Sequence, residues 1–265
     1  MRMPTVYIPH GGGPWPWVHV PFGSPGELDA LKTYLTNLAD VPGEKPKALL
    51  VISAHWEEAV PTVMTSAHPP MLYDYYGFPA ASYTIQWPAP GAPELVARVR
   101  ELLAAAKFPL NEDSERGFDH GTFVPLKLAY PDPQIPVLQL SLVAGLDPET
   151  HLALGRALAP LRDEGVFIIG SGMSYHNLRA FHPSAEPYAL AFDNWLRDNA
   201  TKPQKDRDAA LAAWTKAPSA RAVHPREEHL IPLMVIAGAA GADQGVLAWN
   251  GSVNKLKLSA YHFGG

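Results

Sequence analysis

Cysteine is absent from the 265 residues. That absence excludes disulfides, thiolate-bound zinc, iron–sulfur clusters and a cysteine nucleophile, so any metal must be held by histidine, carboxylate or water. A surplus of positive charge is lacking too. The net charge is −5 with no long basic run, which offers a phosphate backbone no cationic surface and argues against nucleic acid as a partner. No window reaches the ~18 consecutive apolar residues of a membrane span. The opening MRMPTVYIPHGGG is a strand-like run broken by Gly and Pro, without the apolar core of a signal peptide. The expectation is a cytoplasmic protein with no membrane partner; the sequence leaves open whether it forms a homo-oligomer.

What is present describes a packed globule. Hydrophobic residues make up 47% and charged residues 18%, outside the disordered class, and the length suits a single domain over 1–265. The 28 prolines, about twice the usual ~5% share, gather in connections such as HPP (68–70), WPAPGAP (87–93) and YPDP (130–133). A fixed φ and a missing donor do least harm there. The polar stretch 201–222 is expected to carry a short surface helix, and no internal repeat is visible.

Apolar, β-branched runs bounded by turn residues predict buried strands at Thr5–Pro9, Ala48–Ser53, Val137–Leu142 and Val166–Gly170. Helical patterns fall between them at Pro25–Leu38, Ala92–Ala106 and Pro148–Leu161, the last opened by Asp147 as N-cap. Further strands, edge or antiparallel, are expected at Gly245–Trp249 and Lys255–Tyr261. Alternating strands and helices imply an α/β fold, a single domain with a central, mostly parallel sheet flanked by helices. In such sheets ligands sit beyond the carboxyl ends of the strands.

Eleven histidines are present. Taken singly, each is best explained as a surface or structural residue, and His19, His68, His151 and His182 stay with that reading. His10, His55 and His176 differ because each follows a predicted strand at its carboxyl end. His120 is expected in a loop, GFDHGTFVPL, and His229 near the start of a helix that turns from amphipathic to apolar. Neutral imidazole is a strong ligand for first-row divalent metals, and a metal that binds substrate needs about three protein ligands. Spacing alone suggests such a centre without deciding it.

Five motifs carry more. IPHGGGP (8–14), VISAHWE (51–57), DHGTFVPL (119–126), GSGMSYHNL (170–178) and HPREEHLIPL (224–233) resemble, in order, the LigB-like class III extradiol dioxygenases. Together with SAYHFG (259–264), they look like the branch that cleaves DOPA at the 4,5 bond. The resemblance implies that His10, His55 and His229 bind the metal, that His176 is the acid–base catalyst and that His120 lines the substrate pocket. Tyr261 is expected at the substrate as well. The implied metal is Fe(II), with Zn(II) compatible with the same ligands and His176 then a fourth ligand. The implied substrates are O₂ and a small catechol such as DOPA or caffeate.

Neighbouring residues have plainer explanations. Glu57, Glu227 and Glu228 could be carboxylate ligands, yet acidic residues beside a helix N-terminus are equally explained by its dipole. His224 could rim the pocket or simply precede the helix, and Trp15 and Trp17 could line a pocket or belong to the core. Two rival functions remain in view. One is a zinc hydrolase using a three-histidine site, although GSGMS is not the G-x-S-x-G nucleophile elbow and no cysteines complete a deaminase signature. The other is a non-catalytic metal-binding relative, because fold does not fix function.

Overall fold

A computed structural model describes residues 2–20 and 22–264. Eight strands, β1 (Thr5–Pro9), β2 (Ala48–Glu58), β3 (Thr62–Met64), β4 (Asn111–Asp113), β5 (Val137–Val143), β6 (Val166–Gly172), β7 (Gly245–Val253) and β8 (Leu256–Phe263), form one sheet in the order β4-β3-β5-β2-β6-β1-β8-β7. The inner four, β5, β2, β6 and β1, are mutually parallel. β8 joins β1 antiparallel and β7 closes that edge, as the C-terminal sequence suggested.

The inner strands read as continuous apolar runs because both faces of the sheet are covered. Leu49 and Val51 point into a core with Leu31 and Leu35 of α1 (Pro25–Thr36) and Phe123 and Leu126 of α3 (His120–Ala129). Leu50 and Ile52 point the other way, toward α2 (Pro93–Ala105), α4 (Pro148–Leu158) and the late helix described below.

Several boundaries differ from expectation, each with a local cause. β2 runs past Ser53 to Glu58, but its register against β5 shifts between Ile52 and Glu57; His55 sits inside that irregularity. The helix expected over Pro148–Leu161 stops at Leu158 and tightens into a 3₁₀ segment, Ala159–Glu164, where Pro160 cannot donate. His120 is not in a loop. It is the first residue of α3, with Asp119 as N-cap accepting from the Thr122 amide. Pro125 lies inside α3 and so leaves the Gly121 carbonyl without its intrahelical donor; the Ser171 hydroxyl at the end of β6 takes that carbonyl instead.

Between α4 and the late helix the chain folds into α5 (Glu186–Ala200), α6 (Gln204–Ala212) and the single turn α7 (Ala220–Val223). α6 and α7 occupy the polar stretch, where one short helix was expected. The helix expected to begin near His229 starts at Ile231 instead, as α8 (Ile231–Ala240). Pro232 explains the start, since it is tolerated in a first turn but not in a helix interior. All ten residues of α8 are buried, so the helix is apolar all round rather than amphipathic. Its free C-terminal carbonyls are capped by two buried guanidiniums: Arg162 donates to Ala239 and Ala240, and Arg207 to Ala237 and Gly241. A cation at a helix C-terminus also complements the dipole.

α8 lies against α4 at backbone contact. A Cβ on Gly155 of α4 would collide with the Val235 carbonyl, and one on Gly238 of α8 with the Leu152 carbonyl. Backbone cannot yield as a flexible side chain does, so Gly155→Ala is expected to destabilise the fold by about 1–3 kcal/mol. Urea unfolding that gives an unchanged midpoint would contradict this close approach.

Candidate metal centre

β1, β2 and β6 deliver their carboxyl ends to one place, and the segment before α8 closes over it. His10 directly follows β1, its amide donating to the Gly172 carbonyl at 3.2 Å. The glycines after it serve the packing. Gly11 has φ +82° and Gly13 φ +51°, and a Cβ on Gly11 would strike Trp15, one on Gly12 Phe22. Aromatic rings therefore rest directly on the backbone beside His10.

His55 is held by a buried polar network. Ser53 Oγ accepts the His55 amide at 3.2 Å and donates to Asp119 at 2.7 Å. Arg116 bonds both Asp119 (2.8 Å) and the His55 carbonyl (3.2 Å). His229 is fixed through its carbonyl, which accepts Tyr7 Oη at 2.7 Å and the Met173 amide at 3.1 Å.

The rings of His10, His55 and His229 form a nearly regular triangle, with centroids 4.9, 5.3 and 4.9 Å apart. His120 stands 4.0 Å from His55 and 5.1 Å from His10, and His176 stacks on His229 at 3.3 Å and 14°. The structure thus brings together all five histidines that the motifs singled out. Geometry alone offers two separate donor groups, His10–His55–His120 and His176–Glu228–His229, each with ligand atoms within 4.8 Å of one another.

Two carboxylates orient these rings. Glu228 Oε1 accepts from Nδ1 of His229 at 3.0 Å and of His176 at 3.2 Å. Asp74 Oδ1 accepts from His120 Nδ1 at 2.8 Å and from its amide at 3.0 Å, and the other oxygen lies 3.5 Å from His55 Nδ1. Burial alone would push both carboxyls up, but the hydrogen bonds from the histidines outweigh it and hold both below the usual carboxylate range. Both stay ionised and accept, fixing Nε2 as the free nitrogen of the rings they hold.

Burial, with the neighbouring imidazoles, drives His10 and His55 well below the ordinary histidine value and His229 down to about 3. Neutral rings are the form that coordinates. His229 Nε2 and His10 Nδ1 are buried without a partner, and Nε2 of His10 and His55 approach to 3.2 Å. An orphaned acceptor and converging nitrogens fit a divalent cation better than any hydrogen-bonding scheme among the rings themselves.

Other expectations fare differently. Tyr261 does not reach the site: it is fully buried in the core with Tyr7, in register beside it on β1, and does not line the cavity. Because β8 is covered on that face, its side chains fill the interior. Glu57 is paired with Arg226 and Glu227 with Arg221. His224 is buried away from the cavity, donating from Nε2 to the Ser174 carbonyl at 3.0 Å and packing on Phe192 and Trp214. Trp15 is core, and Trp17 lies under Lys127. His151 is structural, accepting the Val143 amide and donating to the Asp147 carbonyl. Sequence reasoning missed Asp74, Tyr75 and Phe78, which sit in a Tyr- and Pro-rich loop without periodicity; only an acidic residue among aromatics marked it.

A cavity of about 570 Å³ opens over the five histidines. Residues 22–265 match the family described as the catalytic LigB subunit of aromatic ring-opening dioxygenase. The chain belongs to this LigB family. Among its relatives, a 4,5-DOPA dioxygenase extradiol of Beta vulgaris is 43% identical over 228 residues, covering 83% of this chain and 84% of that one. A dioxygenase of Hapsidospora irregularis is 34% identical over 99% of this chain and 86% of its own length. The 4,5-DOPA dioxygenase extradiol of Escherichia coli is 34% identical over 90% and 85%. Among solved structures, an uncharacterized Escherichia coli K12 protein superposes with a TM-score of 0.80 at 29% identity, covering 99% of this chain and 100% of the other. The LigB fold and the extradiol type of chemistry therefore stand on the whole chain. No helix among the described residues is long and apolar enough to cross a membrane.

One measurement probes this LigB centre and a second the fold that carries it. Removing the acceptor that aligns His229 and His176, by Glu228→Ala, is expected to weaken divalent metal binding about 10- to 100-fold; unchanged affinity by titration would deny Glu228 that role. The second concerns acid stability. His224 is pushed down to about 3 by burial, below its unfolded value near 6.5, so its neutral form stabilises the fold above about pH 6.5, and that contribution is lost as pH falls toward 3. The unfolded chain takes up the proton first. His224→Gln keeps a donor for Ser174 but does not titrate; relative to pH 7, its unfolding free energy at pH 5 should fall by about 2 kcal/mol less than in the unsubstituted protein.

Proposed function

We propose that this LigB-family protein is an extradiol catechol dioxygenase that takes a catechol and O₂ as substrates at Fe(II) held by His10, His55 and His229. The observation that carries the reading is the triangle of neutral imidazoles at the floor of a cavity, His10 and His229 buried and His55 half-buried, with the unpartnered Nε2 of His229 among them. Three protein ligands leave room for a bidentate diol and a further small ligand. When bound, Fe(II) supplies the redox chemistry that lets O₂ react with the catechol ring.

The chain's own residues supply proton transfer and positioning. His176 lines the cavity and gives its Nδ1–H to Glu228, which leaves Nε2 as the atom that takes the catechol proton and later returns it. The ionised Glu228 stabilises the protonated ring in between, as an acid–base group needs. His120, with Nδ1 held by Asp74, has Nε2 to hydrogen-bond the substrate. The apolar cavity walls keep water from the reacting ring and strengthen these interactions.

The compact His176–Glu228–His229 group also supports a zinc-loaded form in which His176 takes a fourth coordination position. In that form the proton carrier is occupied, so Zn(II) is a bound metal rather than the working one.

Anaerobic loading with Fe(II), followed by a catechol and air, is expected to consume oxygen and give a yellow ring-opened product. His176→Ala should keep the metal and lose about 10²–10⁴-fold in turnover, while His10→Ala, His55→Ala and His229→Ala should each lose metal. Ester hydrolysis by the zinc form with no oxygen uptake would replace this reading with a hydrolase.

A further inference from the structure

Above the histidines the cavity is bounded mainly by apolar side chains, with Tyr75 and the exposed Tyr76 among them, and every Asp, Glu, Lys or Arg at its described lining already has a partner. Phe22 packs on Gly12 and, at 6.1 Å, against Phe181; Leu28 and Val253 adjoin them at Gly23. Phe78 packs on Gly13, and Leu178, 72% exposed, stands at the rim. Arg226 is the single lysine or arginine among the described lining residues. It is held by both Glu57 and Glu228. Asp74 and Glu228 are spent on the histidines.

The geometry points to a catechol whose ring substituent is uncharged and apolar, an alkyl or aryl group, in preference to one bearing a carboxylate or an amino-acid side chain. This rests on the extradiol reading above. A hydrophobic substituent gains in proportion to the area it removes from water. A carboxylate in the same place leaves water without a cationic partner, or draws Arg226 away and leaves Glu57 and Glu228 uncompensated. Several relatives are named 4,5-DOPA dioxygenases, and DOPA is a zwitterion whose two charges find no unpaired charged partner in this lining.

The test compares the Fe(II)-loaded protein on catechol, on methyl-, ethyl- and propylcatechol substituted para to one hydroxyl, on dihydrocaffeate, which matches propylcatechol in length, and on DOPA. kcat/KM is expected to rise about fourfold per methylene and to be at least about tenfold higher for propylcatechol than for dihydrocaffeate. Dihydrocaffeate or DOPA equal to or better than propylcatechol would overturn the assignment, and a carboxylate preference abolished by Arg226→Gln would make Arg226 its reader. Kd values for the same compounds, measured without oxygen, separate the two claims. If no catechol consumes oxygen, the extradiol reading fails while the order of Kd still decides the cavity's preference. Leu178→Arg, at an exposed rim position, is expected to narrow the gap between the two matched compounds about tenfold; an unchanged gap would put the substituent elsewhere and overturn the proposal.

Discussion

Five imidazoles crowd one site, and burial keeps protons off the three that form its floor, His10, His55 and His229. Two adjacent imidazolium ions with little water between them would repel by several kcal/mol, so the crowding of His10, His55 and His229 and their lowered proton affinity are one fact seen twice. The two carboxylates complete the arrangement without reversing it. Asp74 and Glu228 sit behind the rings, taking Nδ1–H and turning Nε2 inward. A carboxylate directly among the Nε2 atoms would offer the metal another ligand and occupy a position that the substrate needs. Set behind them, it fixes tautomer and ring angle while leaving the front clear.

The scaffold answers to this constraint. Parallel strands bring their carboxyl ends to one side, so the histidines carried by β1 and β2, with only β6 between those strands, converge however far apart they lie in sequence. The third ligand comes from outside the strands, and its position depends on how closely α8 lies on α4 and the sheet. Glycines at 155, 170, 172 and 238 remove side chains where backbone meets backbone or side chain. Arg162 and Arg207 hold the far end of α8 by its carbonyls. The apolar helix is thereby pinned at both ends, and the loop carrying Glu228 and His229 is presented with little freedom.

Much of this was legible in the residues. Thr5–Pro9 appears at its expected bounds because a fully buried strand has a continuous apolar pattern that stops sharply at the histidine and glycines. The histidines were legible because chemistry restricts which residues can serve. His120 was misplaced in a loop because its helix is short, entered through an Asp cap and interrupted by Pro125, whose cost is met by Ser171, a residue 46 positions away from it. The start of α8 was misjudged because charged residues before Pro232 imitate an amphipathic first turn. Tyr261 was assigned to the substrate from its motif, but which face of β8 it occupies depends on pairing with β1, and a one-residue change in register would reverse that. The substrate walls were unreadable for a similar reason: Phe22, Phe78 and Phe181 come from three loops whose meeting place only the fold defines.

The separation of the ligands along the chain also bears on how the protein comes into being. His10 is made 219 residues before His229, which is itself followed by α8 and by the two strands that close the sheet edge beside β1. Until His229 has emerged, the nascent chain offers only two of the three proposed ligands, His10 and His55. The complete donor set therefore exists only in the folded chain, and an ion bound by all three proposed ligands enters a fold whose sheet edge is already closed.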